Sequence, residues 1–340
     1  MHNAFRPAWW LNSPHLQTIY PAFLRCITPP DGVRRERLDT PDGDFLDIDW
    51  IDNDDRPLVI LLHGLAGSSR SGYIQGLQHS LLAADFASVA LNFRGCSGEM
   101  NRMARCYHSG ETEDIDFLYK TLRRRFPERA MAAIGFSLGG NVLLKWLGEQ
   151  GDKLELSAAI AVSVPLLLNE CADKLDRGFS KLYRDYLLRE LKQYMRIKLR
   201  HLQHIGQLEQ ADRILKLGDL SGIKSFWQYD DKVVAGLHGF KDAHDYYRRS
   251  SSRQFLKHIR VPTLVLQAKD DPFMTERVLP ANAELSDQVQ LEICAGGGHV
   301  GFVGGSLLRP EYWVEERIGE FLRRHLPSAT TGQNTLGREA

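Results

Sequence analysis

The most constraining feature of the sequence is a serine between two glycines, at the junction of a strand pattern and a helix pattern. The apolar run AMAAI occupies residues 130–134, GFSLG follows at 135–139, and a helical pattern continues to about residue 148. A chain that passes from strand to helix this quickly must bend sharply, and glycine tolerates the crowded backbone of such a bend. The pattern predicts a nucleophile elbow that presents Ser137 at the end of a buried strand.

Short apolar runs alternate with helical patterns along most of the chain. An alternating pair of segments at 33–38 and 45–51 flanks the turn sequence PDGD, which is typical of a hairpin. The continuously apolar run at 58–62 is typical of a strand buried on both faces. We therefore predict an α/β fold with a mainly parallel, doubly wound sheet that begins with an antiparallel hairpin.

The remaining elements continue this alternation until residue 165. Further strands are predicted at 87–93, 130–134, 157–164, 262–267 and 289–294, and helices at 71–84, 110–126, 138–148 and 311–326. Residues 166–250 are charged, helical in pattern and poor in strand signals, which predicts a helical cap inserted between two strands. The predicted domains are an N-terminal extension (1–30), the core (31–165 and 251–326), the cap (166–250) and a disordered polar tail (327–340).

The partners that a nucleophilic serine needs can be found further along the chain. Acyl transfer requires a base for the hydroxyl proton and a carboxylate that orients this base, and after an elbow they follow in the order acid, histidine. Asp270 and Asp271 come after the strand predicted at 262–267. We prefer Asp271 because it falls three residues after Ala268, the small residue that ends the strand. His299 follows three successive glycines, and such a loop can deliver an imidazole to the site.

The loop HGLAG at 63–67 follows the strand predicted at 58–62 and supplies the expected oxyanion hole. Its donors would be the backbone N–H groups of Leu65 and of Leu138, the residue directly after the serine. Each donor of this kind typically contributes about 2.7–4 kcal/mol of transition-state stabilisation.

Three further residues are candidates for substrate binding: His63, Gly64 and Arg94. His63 is expected to shape the loop rather than to titrate during the reaction. Arg94 lies in the conspicuous loop NFRG after a predicted strand and could line the pocket, although an arginine there more often anchors neighbouring loops.

Composition excludes several classes of protein. Lys plus Arg and Asp plus Glu each number 43, so the net charge does not suggest a nucleic acid partner. The five cysteines show no CxxC or Cys/His ligand spacing, which favours reduced thiols and argues against a metal site. The sequence has no apolar run of spanning length and no signal-peptide pattern in its first 20 residues. We expect a cytoplasmic protein without metal or cofactor.

Several longer motifs are similar to those of one protein family. They are SPHLQT at 13–18, HGL at 63–65, NFRGCSGE at 92–99, YHSGETED at 107–114, the Ser137 elbow, AKDDPFM at 268–274 and GGHVGF at 297–302. On these motifs the chain resembles the YheT-like branch of the α/β-hydrolase superfamily. This branch comprises bacterial hydrolases related to eukaryotic α/β-hydrolase-domain lipases and fungal alcohol acyltransferases. The resemblance implies an α/β-hydrolase fold and a triad of Ser137, Asp271 and His299 that acts on acyl lipids or short acyl esters.

The sequence thus predicts a serine hydrolase that cleaves a small acyl ester through an acyl-enzyme. Two alternatives stay open: an alcohol O-acyltransferase with the same triad, and a catalytically silent fold that only binds ligands. The segment 181–200 carries seven basic residues against two acidic ones. It either makes weak peripheral contact with an anionic membrane or packs on the sheet as a solvated cap, and we favour the latter. The oligomeric state cannot be read from the sequence.

Overall fold

An eight-stranded sheet forms the centre of the computed structural model, which describes residues 5–25, 27–51 and 56–327. The strands are β1 Arg34–Asp39, β2 Phe45–Ile51, β3 Leu58–Leu62, β4 Ala87–Asn92, β5 Met131–Phe136, β6 Ala158–Val162, β7 Thr263–Ala268 and β8 Val289–Cys294. Their order across the sheet is β1-β2-β4-β3-β5-β6-β7-β8, and β2 alone runs in the direction opposite to the other strands. This topology confirms the predicted fold class.

Helices follow most of the strands. Within the described residues they are α1 Pro14–Phe23, α2 Gly72–Ala83, α3 Glu113–Arg125, α4 Leu138–Gln150, α5 Leu168–Leu175, α6 Ser180–His204, α7 Leu208–Leu215, α8 Phe226–Tyr229, α9 Gly236–His238, α10 Ala243–Ser250 and α11 Trp313–His325. A π-helical segment, Asp230–Ala235, joins α8 to α9. No helix in the described part of the chain is both long and apolar enough to cross a membrane.

The central strands are apolar at successive positions because both faces of the sheet are covered. In β3, Ile60 and Leu62 pack into one cluster with side chains of α3 and α4. Val59 and Leu61 pack into the opposite cluster with side chains of α2 and α11. Alternate residues of a strand point to opposite faces. A strand covered on both sides therefore loses the polar–apolar alternation of an exposed one, as the run at 58–62 predicts.

The regular structure between β6 and β7 is entirely helical within the described residues: a 3-10 helix, Ser252–His258, directly precedes β7, and before it come α5 to α10 with the π-helical segment. Side chains of these helices form an apolar cluster of their own. Leu65, after β3, and Phe273, after β7, pack against this cluster. The cap therefore lies over the carboxyl ends of these strands, which is the edge of a parallel sheet where ligands bind.

Two parts of the fold differ from the sequence prediction. Helix α1 forms within the region predicted only as an extension, and β9 Val303–Ser306 pairs with β10 Arg309–Tyr312 in a second, antiparallel sheet. The terminal helix, predicted from residue 311, begins at Trp313 because the two preceding residues pair with β9. The predicted disordered tail, apart from Pro327, lies outside the described residues.

Candidate active site

Ser137 lies at the sharp turn that the sequence predicts. It follows β5 directly and precedes α4, with φ 50° and ψ −117°. Such dihedral angles are rare for a residue with a side chain and are costly unless the surroundings enforce them. Its N–H donates a hydrogen bond to Val162 O at 2.8 Å, which fixes the turn to the end of β6.

The glycines on either side of the elbow occupy positions where no side chain fits. A Cβ at Gly135 would lie 2.4 Å from the carbonyl oxygen of Gly139, and a Cβ at Gly139 would lie 2.5 Å from that of His63. Both obstacles are backbone atoms, which cannot move aside as a flexible side chain could. Because Gly135 and Gly139 carry no side chains, the loop after β3 can pass directly beside the nucleophile elbow.

The imidazole of His299 bridges Ser137 and Asp271. Its Nε2 lies 2.9 Å from Ser137 Oγ, and its Nδ1 lies 2.8 Å from Asp271 Oδ2. The ring of Phe273 stacks on the imidazole with centroids 4.1 Å apart and planes 6° apart. The structure therefore brings together the three side chains predicted as a triad, although they are widely separated in the sequence.

The structure also distinguishes the two neighbouring aspartates. Asp271 is buried, and its second oxygen, Oδ1, accepts a hydrogen bond from the N–H of Phe273 at 2.8 Å. Asp270 faces the backbone of the histidine loop instead, where its Oδ1 accepts from Gly298 N–H at 2.9 Å. Burial raises the pKa of Asp270. Only Asp271 contacts the imidazole.

Helix α1 holds the histidine loop in place, a role that the sequence analysis missed. The N–H of His299 donates to Thr18 Oγ1 at 2.9 Å. The buried amide of Gln17 accepts from Val303 N–H and donates to Val303 O, at 2.8 and 2.9 Å. A Cβ at Gly298 would lie 2.5 Å from Pro14 O, so the loop packs directly on the helix. The motif SPHLQT includes both Gln17 and Thr18, but only the structure shows that they are buried and therefore need partners.

Leu65 and Leu138, the predicted oxyanion donors, line the same cavity as Ser137. The N–H groups on either side of Leu65 are used, since that of Gly64 donates to Tyr73 Oη at 2.8 Å and that of Ala66 to Tyr107 Oη at 3.0 Å. Among the described residues, none accepts a hydrogen bond from Leu65 N–H. Leu138 is the first residue of α4, so no earlier helical turn accepts from its N–H. Both groups therefore remain available to a bound oxyanion.

His63 shapes this loop and is not among the residues that line the adjoining cavity. Only 1% of its surface is exposed. Its Nδ1 lies 2.8 Å from Gly64 O, and its Nε2 accepts from Phe93 N–H at 3.1 Å. Burial lowers its pKa to about 4, so the ring is neutral at physiological pH. The expectation that His63 binds substrate is thus corrected, whereas Gly64 does line the adjoining cavity.

Arg94 does not line this cavity either, so the structure favours the loop-anchoring alternative over the predicted place in the pocket. It is 3% exposed, and its guanidinium pairs with Asp42, Asp44 and Asp114 at 2.8, 3.0 and 2.7 Å. Its backbone oxygen accepts from Tyr194 Oη of α6 at 2.7 Å. Arg94 thus anchors the loop after β4 to the hairpin, to α3 and to the cap.

A cavity of about 520 Å³ opens at the serine and continues between α1 and the cap. Ser137, His299, Leu65 and Gly64 lie on its core side. Its cap and α1 sides are mostly apolar and include Ile19, Phe23, Leu168, Ala172, Leu175, Leu182 and Leu187. A site of this kind fits an apolar ligand with a polar reacting group.

The sequence model that describes the alpha/beta hydrolase fold matches residues 57–306. The chain belongs to the α/β-hydrolase family. The matched range includes the Ser137 elbow, Asp271 and His299, and it ends with β9.

Individual α/β-hydrolases extend the similarity over nearly the whole chain. YheT of Escherichia coli (strain K12) is 40% identical over 95% of this chain and 94% of its own length. Phospholipase ABHD3 of Mus musculus is 30% identical over 94% of this chain and 78% of its own. Monoacylglycerol lipase of Saccharomyces cerevisiae is 32% identical over 85% of this chain and 63% of its own. The resemblance inferred from the motifs is confirmed.

Solved structures agree at the level of the fold. The esterase Pf2001 of Pyrococcus furiosus aligns with a TM-score of 0.56 at 20% identity, over 89% of this chain and 97% of that one. Est1E of Butyrivibrio proteoclasticus with bound ferulic acid aligns with a TM-score of 0.53 at 15% identity, over 85% and 98%. At these identities the alignments establish the α/β-hydrolase fold alone.

One polar cluster of this α/β-hydrolase offers metal-ligand chemistry away from the serine. Ligand atoms of His108, Glu111 and His238 lie within 4.8 Å of one another. However, Gly110 N–H donates to His108 Nδ1 at 3.1 Å, which keeps the proton of a neutral ring on Nε2, the atom that faces Glu111. Arg105 already pairs with Glu111 at 2.7 Å. The hydrogen bonds therefore disfavour a cation here, and the expectation of no metal stays a prediction.

Proposed function

We propose that the chain is a serine hydrolase that cleaves carboxylic esters, with Ser137 as nucleophile, His299 as general base and Asp271 as its orienting acid. The observation that carries this proposal is the continuous contact from Asp271 through His299 to Ser137, at 2.8 and 2.9 Å. Two relatives, one named a phospholipase and the other a monoacylglycerol lipase, support ester hydrolysis.

In the acylation step, His299 Nε2 takes the proton of Ser137 while Oγ attacks the ester carbonyl carbon. The carbonyl electron pair moves to oxygen, and the N–H groups of Leu65 and Leu138 stabilise this oxyanion. Collapse of the intermediate breaks the bond to the alcohol oxygen, which receives the proton from His299. Water then attacks the acyl-enzyme with the same base, releasing the acid and restoring Ser137. These steps require no cofactor.

Asp271 contributes by fixing the imidazole. Its Oδ2 accepts from Nδ1, so the neutral ring carries its proton there and presents an unprotonated Nε2 to Ser137. The carboxylate also stabilises the imidazolium that forms when the serine loses its proton. Stacking of Phe273 on the ring restricts its orientation further.

The cavity supports substrates with an apolar acyl or alcohol chain. Its walls are largely aliphatic and aromatic, and burying such a chain contributes about 0.8 kcal/mol per methylene group. We therefore propose acyl lipids or medium-chain acyl esters as the substrate class.

Substitution of the nucleophile tests the proposal. Ser137→Ala should abolish both labelling by a fluorophosphonate and hydrolysis of p-nitrophenyl butyrate, with a loss of about 10⁶-fold in kcat. Ser109→Ala is the matched control, because Ser109 lines the same cavity without contacting His299, and it should keep both activities. Full hydrolysis by Ser137→Ala would refute the assignment, and a folded wild type that never labels would favour a silent binding fold.

The same assay distinguishes hydrolysis from acyl transfer. With ethanol added, a hydrolase should yield mainly butyric acid, whereas an O-acyltransferase should yield mainly ethyl butyrate. Gas chromatography of the two products measures this ratio directly. Ester as the main product at low ethanol concentration would replace the hydrolase by the acyltransferase.

We further propose weak peripheral contact with anionic membranes at the mouth of the cavity. Phe23 and Leu182 line the cavity yet are 61% and 58% exposed, and Arg177 and Lys181 are exposed nearby on the cap. Exposed apolar side chains beside basic ones suit a lipid–water interface. Co-sedimentation with phosphatidylglycerol vesicles, but not with phosphatidylcholine vesicles, is expected, and Leu182→Gln should weaken it. Equal recovery without vesicles would contradict membrane contact. The cytoplasmic location stays a prediction.

A further inference from the structure

A buried carboxyl group lies in the wall of the cavity that opens at Ser137. Asp230 of the π-helical segment is the only acidic side chain among the described residues that line this cavity. Those lining residues include neither lysine nor arginine. Tyr247 Oη donates to Asp230 Oδ2 at 2.6 Å. No other described residue donates a hydrogen bond to this carboxyl group. Asp230 Oδ1 is therefore left for a ligand.

Aromatic rings accompany this carboxyl group along the cavity wall. Phe226 shares its face of the helix, because Asp230 N–H donates to Phe226 O one turn earlier. Tyr246 and Tyr247 of α10 line the cavity as well, with ring centroids 5.3 Å apart. Asp230 begins the π-helical segment, and single π turns within helices occur frequently at functional sites.

The carboxyl group of Asp230 has no positively charged partner among the described residues of the cavity wall. A carboxylate in an apolar wall is costly to bury unless a cation or several donors accompany it. Burial raises the pKa of Asp230 to about 7. The ionisable groups that face it are the phenols of Tyr229, Tyr246 and Tyr247, and burial raises their pKa values as well. They stay uncharged near neutral pH and do not supply the missing positive charge.

We propose that Asp230, Phe226, Tyr246 and Tyr247 form a subsite for a positively charged ammonium group on the ester substrate. A carboxylate with one free oxygen supplies the opposite charge, and the faces of the surrounding rings attract cations. Aliphatic walls would accept the chain of such a substrate while this one group selects its charged end. The inference rests on the proposed ester hydrolysis only in taking the bound molecule to be a substrate.

Two inhibitors of nearly equal shape isolate the charge. Phenyltrimethylammonium and tert-butylbenzene differ in carrying nitrogen or carbon at the branch point, so apolar burial contributes similarly to both. At pH 8 the cation should compete with p-nitrophenyl butyrate roughly tenfold more tightly than its neutral counterpart. The ratio should fall as the pH decreases below about 7, because Asp230 then becomes protonated. Using the ratio cancels pH effects on the reaction that both inhibitors share.

Asp230→Asn removes the charge but keeps an oxygen for Tyr247 to donate to. It should reduce the inhibitor ratio to about one at every pH. Asp231→Asn is the matched control, since Asp231 is exposed and does not line the cavity, and it should keep the wild-type ratio. Circular dichroism and thermal unfolding establish that both variants fold.

Calorimetry with phenyltrimethylammonium gives a readout that does not depend on catalysis. If Ser137→Ala remains active, the proposed function fails, yet binding of the cation can still be compared between wild type and Asp230→Asn. An inhibitor ratio near one in wild type at pH 8, or an unchanged ratio in folded Asp230→Asn, would overturn the ammonium subsite. A neutral hydroxylated inhibitor, p-hydroxymethyl-tert-butylbenzene, tests for hydroxyl binding. If it binds more tightly to wild type than to Asp230→Asn and phenyltrimethylammonium does not, the subsite binds a hydroxyl group and the proposal is wrong.

Discussion

At the scale of single residues, the proposed site depends on which atom of a polar pair faces which neighbour. Asp270 and Asp271 are adjacent, both acidic and both follow β7, yet one contacts an imidazole and the other a backbone N–H. Both lie beyond the end of β7, where the turning backbone directs the two side chains to different neighbours. The two aspartates therefore make different contacts, although their side chains are chemically identical.

Exchanging each aspartate for asparagine should reveal this difference. Asp271→Asn should lower kcat by about 10³–10⁴-fold, because an amide that donates to Nδ1 stabilises the wrong tautomer of His299. Asp270→Asn should lose far less, since its amide oxygen can still accept from Gly298 N–H. Steady-state hydrolysis of p-nitrophenyl butyrate measures both. Equal losses in the two variants would contradict Asp271 as the orienting acid.

At the scale of secondary-structure elements, α1 is the element whose importance the sequence analysis underestimates. Its ten residues contribute side chains to the cavity and the hydrogen bonds that hold the loop of His299. The exposed fraction of Gln17 is 1%, which is unusual for a glutamine in a terminal extension. Helix α1 is thus part of the site and not an appendage to the core.

Thr18 tests this positioning role. Thr18→Val keeps the shape but removes the oxygen that accepts from His299 N–H, so kcat should fall roughly tenfold through misplacement of the imidazole. Since Thr18 also lines the cavity, KM serves as the second readout and should change little. Thr18→Ser retains the acceptor and should restore kcat. A change in KM alone, or a kcat that stays low in Thr18→Ser, would argue against a positioning role.

At the scale of the whole molecule, the cavity exists only because three parts of the chain meet. The core supplies Ser137 and His299, α1 supplies Ile19 and Phe23, and the cap supplies most of the apolar wall. The volume of about 520 Å³ is within the range of small-molecule sites. Chain length of the substrate should therefore be limited by the assembled molecule rather than by any one element.

A series of p-nitrophenyl esters should show this limit. From acetate upward, kcat/KM should increase by up to about fourfold per methylene group, and then level off when the cavity is full. Ala172, buried in the cap wall, offers a test: Ala172→Phe should move the optimum to shorter chains and leave acetate hydrolysis intact. Ala172→Ser is the control of similar size. An optimum that does not move would mean that acyl chains do not occupy this wall.

The sequence by itself determined most of the strand and helix pattern and the elbow, and it indicated candidate partners for Ser137, with the choice between Asp270 and Asp271 open. These features are local: an apolar run of strand length, glycines at a sharp strand-to-helix turn, and polar residues directly after buried strands. The parallel sheet follows as well, because alternating strands and helices leave few other ways to bury both kinds of apolar face. His299 was recognisable because three successive glycines precede it. Such a run indicates a loop that packs closely against its neighbours.

Only the tertiary structure decided which residues meet. His63 and Arg94 have the chemistry of binding residues, but their partners, a backbone N–H and three aspartates, come from distant segments and withdraw them from the cavity. Asp230 shows the reverse case: an ordinary acidic residue of a helix becomes a feature of the site once the cap folds over Ser137. A sequence pattern records the neighbours of a residue along the chain, whereas burial and charge depend on its neighbours in space.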